Sequence, residues 1–158
     1  MSKSVVITEA SVLSLPALSR LFAKAVREQF NYFADPVQTE VIREHSVSKL
    51  YMAAVDPRRV VLIAKLGDRV IGYAIGAAPK IGPAQLFWLY VEPDHRGNRL
   101  GLKLLSRMLQ LLGSKGAETV SIATHDHRYY YERQGFVFLK NTIVDGVNMD
   151  ILTFKIRP

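Results

Sequence analysis

Cysteine is absent from this 158-residue chain. That removes disulfides, thiolate metal sites and a cysteine nucleophile together. It agrees with a reducing compartment, and the cytoplasm is the expected location. No apolar run reaches the length that spans a bilayer. Met1-Ser2-Lys3-Ser4 leads straight into Val5-Val6-Ile7, too short a start for the apolar core of a secretory leader. Linkers, repeats and low-complexity stretches are missing as well, so residues 1–158 are expected to form a single domain with a sizeable core. Acidic residues are scarce beside basic ones, 14 against 21, and the formal net charge is +7. The basic residues are scattered, with local groups at Arg58-Arg59 and between Arg96 and Arg107. No zinc-finger, RNP or GxxG pattern accompanies them, which argues against nucleic acid and leaves a small polyanion as the expected partner.

What the chain does have is Val91-Glu92-Pro93-Asp94-His95-Arg96-Gly97-Asn98-Arg99-Leu100-Gly101, placed between the apolar run 84–91 and the helical pattern that starts at Leu100. A strand thus ends in a basic, glycine-bearing turn that opens into a helix. The free N–H groups of a first helical turn point outward, and the helix dipole adds partial positive charge there. Gly97 and Gly101 let the main chain approach a bulky anion, while Arg96 and Arg99 supply formal charge. A pyrophosphate suits such a site.

This stretch resembles motif A of the GNAT superfamily of acetyl-coenzyme A-dependent N-acetyltransferases, whose pattern is Arg or Gln, two variable residues, Gly, one variable residue, then Gly or Ala. Arg96, Gly101 and the lead-in from Val91 to Pro93 match; Arg99 stands where the middle glycine belongs. Tyr131-Glu132-Arg133-Gln134-Gly135-Phe136 is similar to the Tyr-Glu-x-x-Gly-Phe segment on the family's last helix. The asparagine usual seven residues before that tyrosine is replaced by Thr124. The resemblance spans essentially the whole chain. It implies an α/β (α+β) fold with a mixed, mostly antiparallel sheet flanked by helices and splayed between the fourth and fifth strands.

The element pattern fits. Residues 5–7 read as a strand. Ser11 can cap a helix over 12–29, with Leu15, Leu18, Leu21, Phe22, Ala25 and Val26 as its apolar stripe. A second helical stretch is expected over 37–55. Residues 59–66 and 70–77 form a hairpin around Gly67-Asp68, and 85–91 is the central strand. Leu100, Leu104, Leu105, Met108, Leu111 and Leu112 make the buried face of a long helix ending at Gly113 or Gly116. Residues 119–123 are a strand. Asp126 can cap a short helix running to Gln134, with Gly135 as its left-handed end. Residues 136–140 and 147–156 close as a hairpin through Asp145-Gly146.

The resemblance implies a chemistry. Leu89, Tyr90 and Val91 would offer main-chain groups to the pantetheine arm of acetyl-coenzyme A as an added strand. Arg96, Gly97, Asn98, Arg99, Leu100, Gly101 and Leu102 would hold its pyrophosphate, and Thr124 would lie beside the cofactor. An N–H near Leu89 would polarise the thioester oxygen. Tyr131 would return a proton to the departing thiolate, with Tyr130 as fallback. Phe30, Tyr32, Phe33 and Trp88 carry two readings, an acceptor pocket or a core plug. The general base is not legible. Glu92 reads as a solvated loop carboxylate, and Glu40, Glu44 and His45 are weaker candidates. His125-Asp126-His127 resembles a metal pair but reads as a cap and surface helix, and no metal is expected.

The expected function is transfer of an acetyl group from acetyl-coenzyme A to a primary amine of a small molecule or protein. The competing class is a non-catalytic module on the same fold that binds acyl-coenzyme A, nucleic acid or a protein. Arg99, the lost asparagine and the lack of a strand carboxylate point to the second; Tyr131 points to the first. A homodimer is common in the family, though no residue here marks an interface.

Overall fold

The computed structural model describes residues 4–156; the leader residues Met1 to Lys3 lie outside them. A seven-stranded sheet runs in the order β1-β2-β3-β4-β5-β7-β6. Its strands are β1 (Val5–Glu9), β2 (Arg59–Leu66), β3 (Arg69–Ala77), β4 (Ala84–Val91), β5 (Thr119–Thr124), β6 (Val137–Val144) and β7 (Val147–Lys155). All neighbours are antiparallel except β4 and β5. One face carries helices α1 (Leu15–Glu28), α2 (Asp35–Arg43) and α3 (Val47–Val55); α4 (Leu100–Ser114) lies on the other, and α5 (Arg128–Arg133) is a short helix beside β6 and β7.

The expected apolar stripe of α1 is buried in full. Ser11 and Ser14 form a 3-10 turn before it, with the Ser11 N–H donating to Ser14 Oγ at 3.0 Å, so the α-helix starts at Leu15 rather than Val12. The second helical stretch is corrected. Residues 37–55 are not one helix but α2 and α3, broken at residues 44–46. His45 turns inward there, its Nδ1–H donating to the Val41 carbonyl at 2.7 Å and its ring stacked 3.8 Å from Phe22. Ser46 then caps α3 through the Lys49 N–H. Side chains that bond the local backbone compete with helix continuation, and two of them side by side end it.

On the other face, Leu100, Leu104, Leu105, Met108 and Leu112 are buried, while Leu111 is half-exposed at the margin. The helix can lie this close because β3 carries Gly76. A Cβ there would stand 2.7 Å from the Gln85 carbonyl oxygen and 3.0 Å from the Met108 sulfur. The last hairpin turns at Asp145 and Gly146, both at positive φ (49° and 80°), as a two-residue primed turn requires.

The feature that positions the site is in β4. Gly76 pairs with Leu86 but Ile75 pairs with Trp88, so Phe87 is an extra residue, a β-bulge. Alternation is reset there. Ala84 and Leu86 face α4, whereas Trp88 and Tyr90 face the α1 side. Leu86 is also the last residue of β4 with a partner in β5, the parallel pairing covering only Ala84 to Leu86. Beyond it the two strands part.

Burial holds the His45 imidazole below its ordinary value of 6.5, chiefly by desolvation and against the Val41 hydrogen bond. The folded protein therefore holds it neutral where the unfolded chain takes up a proton. Stability contributed by this residue is complete above about pH 6.5 and declines as pH falls below it, with a slope approaching about 1.4 kcal/mol per pH unit. Urea denaturation from about pH 7 to about pH 5 will show this decline, and His45→Gln will flatten it.

Candidate functional site

Between β4 and α4 the chain makes a 3-10 turn, Pro93–His95, and then the basic loop. Gly97 has φ +96, and a Cβ there would meet nothing within 4 Å, so this stretch of backbone faces open space. Arg99, at the glycine position, is left-handed (φ 58, ψ 22) and serves as N-cap of α4. The loop thus takes a left-handed conformation that favours glycine and carries a guanidinium on it, at a cost of about 1–2 kcal/mol. No side chain caps α4, so the N–H groups of Leu100, Gly101 and Leu102 stay free for an anion. Arg96 Nε donates to the Val91 carbonyl at 2.8 Å, and its guanidinium lies 5.6 Å from the Tyr90 ring centroid. Its terminal donors remain free.

Glu92 is corrected. It is not a solvated loop carboxylate but 6% exposed, accepting from Arg69 Nη2 at 2.7 Å with His95 Nε2 at 3.9 Å. Pairing with β3 continues past the end of β4, the Glu92 N–H donating to Ile71 O, and this carries the side chain over Arg69. Glu92 lines neither cavity of the site; nor do Glu40, Glu44 and His45.

Because the Glu92 N–H faces β3, the main-chain groups of Val91 and Leu89, offset by one and three residues, face the unpaired edge. That edge borders a cleft of about 970 Å³ whose walls include Leu89, Tyr90, Val91, the basic loop, the start of α4, and Tyr130 and Tyr131. A second cavity, about 400 Å³, lies among Phe30, Tyr32, Phe33, Trp88, residues 121–124 of β5 and the β6–β7 hairpin. Phe30, Tyr32, Leu89, His127 and Tyr131 line both, so the two spaces adjoin where β4 leaves β5.

The residues named from sequence divide between these spaces. Arg96, Gly97, Arg99, Leu100, Gly101 and Leu102 line the large cleft, while Asn98 is exposed and lines neither. Thr124 lines the small cavity, and its Oγ1 accepts from the His127 N–H at 3.1 Å. Thr124, not Asp126, therefore anchors the start of α5; the Asp126 carboxylate instead sits 3.2 Å from His127 Nε2. Phe33 is a plug, packed with Val147 and Met149, whereas Phe30, Tyr32 and Trp88 are half-buried and front the cavity. Trp88 is fixed edge-on to Phe22 and Phe30, each at 5.2 Å.

Tyr131 packs edge-on to Tyr130 and Phe136, at 5.1 and 5.5 Å. Burial first, then the neighbouring Tyr130 and Tyr32 phenols, push its pKa well up. It is a proton donor at neutral pH. Tyr130 is raised by burial too. Tyr32, raised to about 12 by burial and then by Asp126, stacks 4.5 Å from the His125 ring. Tyr129 is exposed. Among the lining residues that sequence reasoning did not place at the site, two carry a titratable group facing the small cavity, His127 and Asp145. His127 had a legible signal, its place beside Asp126 just before the tyrosine motif; Asp145, in a turn far along the chain, had none. Among the described residues no group of three or more His, Asp or Glu side chains is placed to hold a metal ion, and no helix is long and apolar enough to cross a membrane.

The arrangement offers an anion-binding loop, an open strand edge that can accept an extended ligand arm, and a protonated phenol beside the junction of an arginine-lined cleft and an aromatic-walled cavity. Residues 21–136 match the family model described as the acetyltransferase (GNAT) family. No curated protein sequence matches the chain at a significant level. Among solved structures it is similar to PaiA N-acetyltransferase from Thermoplasma acidophilum in complex with coenzyme A, with TM-score 0.78, 21% identity, and 97% and 99% of the two chains covered. It is also similar to aminoglycoside 6'-acetyltransferase type Ii, with TM-score 0.74, 20% identity, and 97% and 98% covered. A third is YncA from Salmonella typhimurium with its cofactor acetyl-CoA, with TM-score 0.70, 17% identity, and 98% and 95% covered. At these identities the likeness is one of fold.

Arg99→Gly relieves the left-handed strain but removes a charge beside the anion site. Thermal or urea unfolding should show a gain of up to about 1 kcal/mol. Affinity for a polyphosphate ligand should drop and become less salt-sensitive, measured by calorimetry at two ionic strengths.

Proposed function

Because the chain belongs to the acetyltransferase (GNAT) family, we propose that it moves an acetyl group from acetyl-coenzyme A to a primary amine, the large cleft taking the coenzyme and the small cavity the acceptor. The observation that carries this reading is the meeting of an arginine-lined cleft and a smaller, aromatic-walled cavity at the open edge of β4, beside Tyr131. The free N–H groups at the start of α4, with Arg96 and Arg99, bind the pyrophosphate. Leu89 and Val91 hold the pantetheine arm as a further strand would be held, although Arg96 already occupies the Val91 carbonyl. The Leu89 N–H is aimed at the thioester oxygen, where negative charge builds as the amine attacks.

Proton traffic follows from which groups stand at the junction. An ammonium acceptor first gives up one proton to become the nucleophile; its nitrogen then bonds to the thioester carbon, the carbon–sulfur bond breaks, the nitrogen loses its second proton to solvent and the sulfur gains one. Tyr131, held protonated by burial, supplies the sulfur. His127, which lines both spaces, takes the first proton from the acceptor, with Asp126 beside it. Orientation of the two reactants across the strand gap supplies much of the rate gain. Of the three departures that point to the binding-only alternative, Arg99 adopts a left-handed conformation open to glycine, while the lost asparagine and the missing strand carboxylate stand. We also read the cysteine-free composition as that of a cytoplasmic enzyme.

A thermal-shift titration tests the coenzyme. Acetyl-coenzyme A at about one hundred times its Kd should add roughly 2.7 kcal/mol to apparent stability, while ATP should add little at the same concentration. No saturable shift rejects the reading. Tyr131→Phe should lower kcat by roughly a hundredfold or more with little change in acetyl-coenzyme A affinity; an unchanged kcat removes the acid role. His127→Gln should lower kcat most at low pH and progressively less as alkaline solvent deprotonates the amine.

A further inference from the structure

The small cavity says which amine. Its walls include Phe30, Tyr32, Trp88, Met149 and Ile151 beside the polar Gln85, Ser121, Thr124 and His127, and among its described lining residues the only carboxylate is that of Asp145. The aromatic wall is fixed from behind, since Phe33 and Met149 are buried with Val147, and Phe30 is held edge-on by Trp88 and Tyr32. Asp145 is exposed at the cavity's edge, and its backbone is held by the turn. It occupies the first central position of the tight β6–β7 turn, with Val144 and Val147 still paired on either side. We propose that the acceptor is a small primary amine carried on an uncharged aryl or alkyl body, drawn in as its ammonium form by Asp145. This rests on the acetyl-transfer reading above and narrows it.

Three physical arguments separate this class from other amines. A volume of about 400 Å³ lies toward the small end of ligand pockets, so it takes a small molecule whole rather than one side chain of a docked protein. An amino acid carries a carboxylate that meets no cation in this cavity and is repelled by Asp145. A polyamine or aminoglycoside brings several ammonium groups, and the cavity has one carboxylate to receive them; each further charge is desolvated without a partner.

Trp88 is the chain's only tryptophan and lines this cavity, so its emission reports occupancy without turnover. With free coenzyme A bound, the protein is titrated with 2-phenylethylamine, hexylamine, spermidine, phenylalanine and an Nα-acetyl-lysine amide. The first two should saturate the Trp88 signal at concentrations at least about tenfold lower than the others. Ala123→Leu, on the exposed β5 wall, should raise the Kd for 2-phenylethylamine by about tenfold and leave the coenzyme A thermal shift unchanged. Asp145→Asn should narrow the gap between 2-phenylethylamine and phenylalanine. Equal or tighter binding of spermidine, phenylalanine or the lysine amide overturns the proposal, as does an Ala123→Leu protein that folds and binds as before. A coenzyme A shift without any amine response sinks the proposal alone. A Trp88 response without a coenzyme A shift sinks the acetyl-transfer reading instead.

Discussion

The structure depends on one strand that cannot satisfy both neighbours. β4 pairs with β3 from Gln85 to Val91 except at Phe87 but keeps β5 only as far as Leu86, and the bulge at Phe87 falls where that second pairing ends. A central strand with unpaired main-chain groups is an unstable arrangement unless something else meets them. Here Arg96 returns to cap the Val91 carbonyl, and the remaining edge is left to solvent or ligand. The same bulge turns Trp88 and Tyr90 to the α1 face while Leu89 and Val91 pack toward α4. One inserted residue thus sets both the binding edge and the side chains around it.

Packing on either side keeps that gap open. α4 is drawn tightly onto β3 and β4 by its leucine face over Gly76, which fixes its N-terminus beside the end of β4. On the opposite face, His45 stacks on Phe22 and stands edge-on to Trp88 at 5.9 Å. The break between α2 and α3 is therefore part of the scaffold behind the small cavity. The β6–β7 hairpin closes the third side, its Val147 and Met149 seated against Phe33. Elements far apart in sequence converge on the space that β4 and β5 leave between them.

Charge divides along the same line. Among the described residues, Arg96, Arg99 and Arg133 line the large cleft with Asp126 as its one carboxylate, and Asp145 is the one carboxylate lining the small cavity. Part of the chain's positive excess is therefore gathered where a polyphosphate would be bound, consistent with steering of such a ligand. Glu92, which sequence placed in solvent, is withdrawn from both spaces and neutralised by Arg69. That leaves His127 and the tyrosines as the titratable groups at the junction.

The sequence by itself determined whatever is encoded over a few residues. The α1 stripe, the leucine face of α4, the hairpins at Gly67-Asp68 and Asp145-Gly146 and the basic loop after β4 follow from periodicity and turn chemistry, and Tyr131 from its local motif. The tertiary structure alone decided the split of residues 37–55, the burial of Glu92, the division of the aromatic cluster into a plug at Phe33 and a cavity wall at Trp88, and the arrival of Asp145 opposite that wall. Each depends on a partner distant in the chain: Phe22 for His45, Arg69 for Glu92, Val147 and Met149 for Phe33. Local patterns carry no record of such partners, because strand register and cross-element contact are set only when the whole sheet is assembled.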